Sequence, residues 1–147
     1  MGSLALPDSG VVYADTQVLI YSIERIAPYF ELLLPLWEAS ECGQVVVATS
    51  ELAVLEVMVA PLRRNDERLI GAYDELLQGT EIQTVPIGRE ILREAARLRA
   101  ETSLRTPDAI HAATALSVGC SAFITNDGAF RVVGSLPVQL LSDLSNS

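Results

Sequence analysis

The chain has 147 residues and no lysine: all ten basic residues are arginine, set against nineteen acidic ones, for a net charge of −9. So acidic a chain binds nucleic acid poorly on charge alone. A nucleic-acid role therefore needs either carboxylates that recruit a divalent metal or a basic partner. Histidine occurs once, at His111, and cysteine twice, at Cys42 and Cys120, with no metal-ligand spacing between them. That excludes a zinc site of the usual ligands and a disulfide framework, and the cysteines read as free thiols in a reducing cytosol. No apolar run approaches the roughly 18 residues that a membrane span needs. The opening Met1-Gly2-Ser3-Leu4-Ala5-Leu6-Pro7-Asp8 lacks the basic start of a signal peptide, and Leu6 stands where a myristoylation signal wants Ser or Thr. The expectation is a cytoplasmic protein with no membrane association. Residues 1–10 read as a flexible tail, 11–143 as one domain without repeats or linkers, and 144–147 as a short C-terminal tail.

What the chain has in plenty is apolar residues: half of it, with a mean hydropathy of +0.33. This suffices for a core and leaves apolar surface for a homodimer or a permanent partner. Strand-like runs lie at Val11–Ala14, Val45–Ala48, Ile82–Val85, Ala122–Thr125 and Val138–Leu141. Helical patterns separate them. Tyr29, Leu32, Leu33, Leu36 and Trp37 recur at helical spacing, with Pro35 predicting a kink or a fresh start. A further helix runs from Glu51 to about Val59, before Pro61. Leu69, Ile70, Tyr73, Leu76 and Leu77 line one helix face and Ile87, Ile91, Ala95 and Leu98 another. Thr106-Pro107-Asp108 opens a last helix, with Thr106 as its cap and Asp108 at its second position. Strands alternating with helices predict an α/β domain built on a parallel sheet.

Four carboxylates occupy telling places. Asp15 follows the first strand, Glu56 lies in the helix after the second, Asp108 sits in a first helical turn, and Asp127 follows the fourth strand. Singly each has an ordinary explanation: Asp15 as a helix cap, Glu56 as a surface acid, Asp108 as a partner of the helix dipole, Asp127 as a turn residue beside Gly128. In an α/β sheet, chemistry gathers at the carboxyl edge of the strands, where all four could meet. Carboxylates crowded there raise one another's pKa, and a hard, oxygen-preferring cation such as Mg²⁺ or Mn²⁺ would compensate. Such a cluster suggests a phosphodiesterase. Glu51 competes with Glu56, but the two stand about 140° apart around a helix and cannot share a face. His111 among alanines reads as a packing or hydrogen-bonding residue, and Tyr29 and Trp37 as core or partner contacts. Arg63, Arg64 and Arg68 suit either RNA phosphates or a solvated loop.

Four blocks in order resemble the PIN-domain family, in particular its VapC-type ribonuclease toxins. They are Tyr13-Ala14-Asp15-Thr16-Gln17-Val18-Leu19-Ile20-Tyr21, Thr49-Ser50-Glu51-Leu52-Ala53-Val54-Leu55-Glu56-Val57, Leu104-Arg105-Thr106-Pro107-Asp108-Ala109-Ile110-His111-Ala112-Ala113-Thr114-Ala115, and Phe123-Ile124-Thr125-Asn126-Asp127. The resemblance implies a three-layer sandwich whose parallel sheet of about five strands runs in order 3-2-1-4-5. It implies hydrolysis of RNA phosphodiester bonds by a metal-activated water, leaving 5′-phosphate and 3′-hydroxyl ends. Asp15, Glu56, Asp108 and Asp127 match the acidic quartet that would hold Mg²⁺ or Mn²⁺. Thr16, Thr125 and Asn126 match its supporting polar residues, with Thr125 and Asn126 orienting the last acid or a water. A cognate antitoxin with a basic tail is the implied partner of a VapBC-type pair, on the apolar helices near 29–37 and 69–77, which would alternatively serve a homodimer. Gln17 stands where the family usually has Asn, one methylene longer. The alternative is a catalytically inactive PIN-like module that binds RNA or protein, and a third is a nuclease acting on DNA.

Overall fold

Each apolar run read as a strand is a strand in the computed structural model, which describes residues 2–146. The order is β1 (Val11–Ala14), α1 (Thr16–Ile23), α2 (Tyr29–Glu41), β2 (Val46–Ser50), α3 (Leu52–Arg63), α4 (Glu67–Gln78), β3 (Ile82–Val85), α5 (Arg89–Glu101), α6 (Thr106–Ser117), β4 (Ala122–Thr125), a 3₁₀ turn (Gly128–Val132), β5 (Val138–Leu140) and α7 (Leu141–Ser145). All strand pairs are parallel and the sheet order is β3-β2-β1-β4-β5. β1 is central, so the chain leaves it once towards β2 and returns later on its other side as β4. That reversal makes the crevice at the carboxyl ends of β1 and β4.

Strand alternation sends successive side chains to two cores. Val12, Ala14 and Val47 pack with Leu19, Leu33, Leu36 and Tyr73 on one face, while Tyr13, Ala48 and Phe123 meet Ile91, Leu98 and the alanines of α6 on the other. The rings of Tyr13 and Phe123 stack 5.1 Å apart. The central strands are buried on both sides, which is why they read as unbroken apolar runs.

Two expectations about proline are corrected. α2 runs unbroken through Pro35, without a restart, and α3 continues through Pro61 to Arg63. Proline lacks the N–H that would bond four residues back. At Pro35 the carbonyl so released belongs to Glu31, and both residues are exposed, so water can replace the bond. Pro61 is buried, and its ring packs where the helix meets the rest of the chain.

The apolar faces of α2 and α4 are mostly spent on the core, through Leu32, Leu33, Leu36, Tyr73, Leu76 and Leu77. Exposed large apolar side chains collect instead on α3, at Val54, Leu55, Val59 and Leu62. The opening stretch is pinned to the domain: Leu4 is buried, Ala5 exchanges two hydrogen bonds with Gln139, and Gln44 donates to the Pro7 carbonyl. Met1 and Ser147, the outermost residues of the two expected tails, lie outside the described residues. Among those described, no helix is long and apolar enough to cross a membrane.

Candidate active site

β1 ends at Ala14, and Asp15 caps α1 by accepting the Val18 amide at 3.2 Å through Oδ1. Its other oxygen, Oδ2, accepts a short hydrogen bond from the Thr125 hydroxyl at the end of β4. Thr125 also accepts the Asp127 amide at 3.0 Å, so one buried hydroxyl links the first and last acids. Asp127 in turn caps the 3₁₀ turn through the Ala129 amide. Asp15 is only 5% exposed. Burial pushes its carboxyl up to about 6, against the pull of the Thr125 hydroxyl, nearby His111 and the Val18 amide, with Asp127 adding a further push upward.

Asp108 stands in the first turn of α6, one position later than expected because Arg105, not Thr106, is the cap. Its carboxyl is also raised, by burial first and then by Asp127 and Glu56. Glu56 behaves oppositely. Burial alone would raise it, but hydrogen bonds from His111 and Thr16 outweigh that and hold it below the usual carboxylate range. Asp127 thus acts electrostatically on both Asp15 and Asp108, and Glu56 on Asp108.

The remaining residues divide cleanly. Thr16 donates to Glu56 Oε1 at 2.7 Å. Asn126 donates to the Tyr21 hydroxyl at 3.1 Å and accepts the Ser142 amide at 2.9 Å, so its amide ties β4 to α1 and α7. Gln17 and Glu51 are exposed, as are Arg63, Arg64 and Arg68. Trp37 donates to Ser22 at 2.8 Å and packs against the core. Sequence reasoning left His111 as packing or hydrogen bonding. It is 3% exposed, with Nδ1 at 2.7 Å from the Tyr13 hydroxyl and Nε2 at 2.7 Å from Glu56 Oε1. Its place three residues after Asp108, on a helix buried from Ala109 through Ala115, was the available signal.

Oxygen donors alone, some buried and mutually raised, suit a hard divalent cation and nothing softer. Among the described residues no three of these side chains close into a ready-made ligand set as they stand.

A family model described as the PIN domain matches residues 12–136. The chain belongs to the PIN-domain family. Among curated proteins none matches this PIN domain in sequence. Solved structures similar to it include a chain of VapBC2 from Rickettsia felis, in a complex bound to a DNA fragment from its promoter (15% identity, TM-score 0.72, covering 88% of this chain and 98% of that one). VapC20 of Mycobacterium tuberculosis, a sarcin-ricin loop cleaving toxin, is similar at 19% identity and a TM-score of 0.70, covering 87% and 98%. A toxin–antitoxin complex from Klebsiella pneumoniae follows at 23% and 0.67, covering 88% and 97%. At these identities the likeness is one of fold, and it spans nearly the whole of each of those chains.

Proposed function

We propose that this PIN domain is a divalent-metal-dependent endoribonuclease, the toxin of a VapBC-type pair. The observation that supports the reading is that Asp15 and Asp108, on different elements, are both raised by burial first and both feel the charge of Asp127. The sarcin-ricin loop cleavage ascribed to VapC20 and the antitoxin complexes among the similar structures support the choice of RNA and of partner.

Asp15, Asp108 and Asp127 would hold Mg²⁺ or Mn²⁺, with Glu56 completing the acidic set. When bound, such an ion polarises a phosphoryl oxygen and makes water nucleophilic at neutral pH. Thr125 fixes the Asp15 carboxylate and the backbone leading to Asp127, so neither acid needs to reorganise. Glu56, held ionised by Thr16 and His111, is placed to accept the proton of the attacking water. As water adds, the P–O3′ bond breaks and the 3′ oxygen is protonated, which leaves 5′-phosphate and 3′-hydroxyl ends. An antitoxin with a basic tail complements the net charge of −9, and the exposed apolar side of α3 offers it, or a second copy, a contact.

The test is digestion of total cellular RNA by purified protein with Mg²⁺ or Mn²⁺, and with EDTA, beside Asp15→Asn and Asp108→Asn. Discrete metal-dependent cuts, lost in both variants, are expected. Cuts that persist in the variants would refute the site, and no cutting by any form would favour the binding-module alternative.

A further inference from the structure

His111 joins three elements that the sequence keeps far apart: its ring, on α6, meets Tyr13 of β1 across 98 residues and Glu56 of α3 across 55. Hydrogen-bond logic assigns its protons. A phenol is protonated at neutral pH, and Tyr13, fully buried, has its hydroxyl 2.7 Å from Nδ1. Tyr13 therefore donates and Nδ1 accepts, leaving the proton on Nε2. That nitrogen lies 2.7 Å from Glu56 Oε1 and 3.1 Å from the Thr16 hydroxyl oxygen. Thr16 spends its own proton on the same Glu56 oxygen at 2.7 Å. Oε1 thus receives two donors, and Oε2 stays available for a ligand or a water. An apolar side chain would fill the His111 position without the desolvation that a buried imidazole incurs. The polar ring makes sense through what it holds.

We propose that His111 is a positioning residue: with Tyr13 behind it and Thr16 beside it, it fixes Glu56 in a single rotamer that presents Oε2 to the reaction. The kinetic part of this proposal rests on the nuclease reading, and the geometric part stands apart from it.

The test has two arms. The chain has one histidine, so the ring nitrogens of ¹⁵N-labelled, metal-free protein belong to His111 without ambiguity. The expected spectrum shows Nε2 protonated and Nδ1 as an acceptor, and Tyr13→Phe should shift the Nδ1 resonance. A proton on Nδ1 alone, or averaging between tautomers, would overturn the proposal without any variant having to fold. In the second arm, initial rates on total cellular RNA at saturating Mg²⁺ are compared for His111→Gln, whose amide reaches the level of Nε2, and His111→Asn, whose amide stops at Nδ1. His111→Gln should stay close to wild type. His111→Asn should lose about 10–100-fold in kcat, with little change in KM, and add nothing to the loss in Glu56→Gln when the two are combined. Equal losses in the two histidine variants, or an additive double variant, would show a merely structural ring. Wild type inert on RNA would count against the nuclease reading, while the ring-nitrogen spectrum would still decide whether His111 holds Glu56.

Discussion

Asp15 is a carboxylate kept where its charge is disfavoured. Its pKa rises from 3.8 to about 6 chiefly because water is excluded from it. Between those two values the folded chain keeps a proton that the unfolded chain has released, so stability falls as pH rises through that window. By pH 7 the deficit is about 3 kcal/mol. Asparagine removes the charge from the same place, at the smaller cost of turning the Thr125 hydroxyl, which already accepts the Asp127 amide, away from its carboxylate acceptor. Asp15→Asn should therefore abolish RNA cleavage and yet melt higher than wild type at pH 7, with the two curves meeting near pH 4. Thermal melts across that range check it, and equal melting temperatures at pH 7 would show that the buried charge costs nothing. Thr125→Val acts the other way. It removes the hydroxyl shared by Asp15 and Asp127 and should cost about 1–3 kcal/mol in denaturant unfolding at pH 7.

The last helix depends on one side chain outside it. α7 has five residues and no side-chain cap, and Asn126 accepts its Ser142 amide while donating to Tyr21 on α1. Asn126→Ala should destabilise the fold by about 1–3 kcal/mol. It should also speed amide exchange at Ser142 and the residues that follow, more than elsewhere in the chain. Unchanged exchange in α7 would show that its packing on α2 suffices. Elements of this kind mark where the sequence stops being legible. The strands and their alternation with helices could be read because burial on both faces leaves short apolar runs, rich in β-branched residues, set between longer helical patterns. Helices through Pro35 and Pro61 could not, because tolerance of proline depends on what surrounds the ring and the carbonyl it releases, and that is a tertiary fact. The 3₁₀ turn and α7 are too short to carry a period. Where the acids fall on the elements was legible: Asp15 and Asp127 after strands, Asp108 in a first turn and Glu56 within a helix. The link from Tyr13 through His111 to Glu56 was not, since it spans 98 and 55 residues and leaves no local pattern.

Across the whole molecule, nineteen acidic residues face ten arginines, and at the β1–β4 crevice the charge of Asp127 pushes up both Asp15 and Asp108. A cation held there binds the folded chain and not the unfolded one. Mg²⁺ or Mn²⁺ at a hundredfold excess over its Kd should thus add about 2.7 kcal/mol of stability in wild type and much less in Asp108→Asn. Sodium chloride, which only screens, should act alike on both. Melting temperatures measured with each salt separate the two effects, and an equal Mg²⁺ response in the variant would move the ion elsewhere. The hydrogen bond from Thr125 to Asp15 closes across 110 residues, because β1 lies between a strand made soon after it and one made much later. During synthesis, then, Asp15 emerges from the ribosome long before its partners on α6 and β4 exist. The topology works as a clock: a nascent chain carries the first acid, but the crevice cannot assemble until β4 has been made and released.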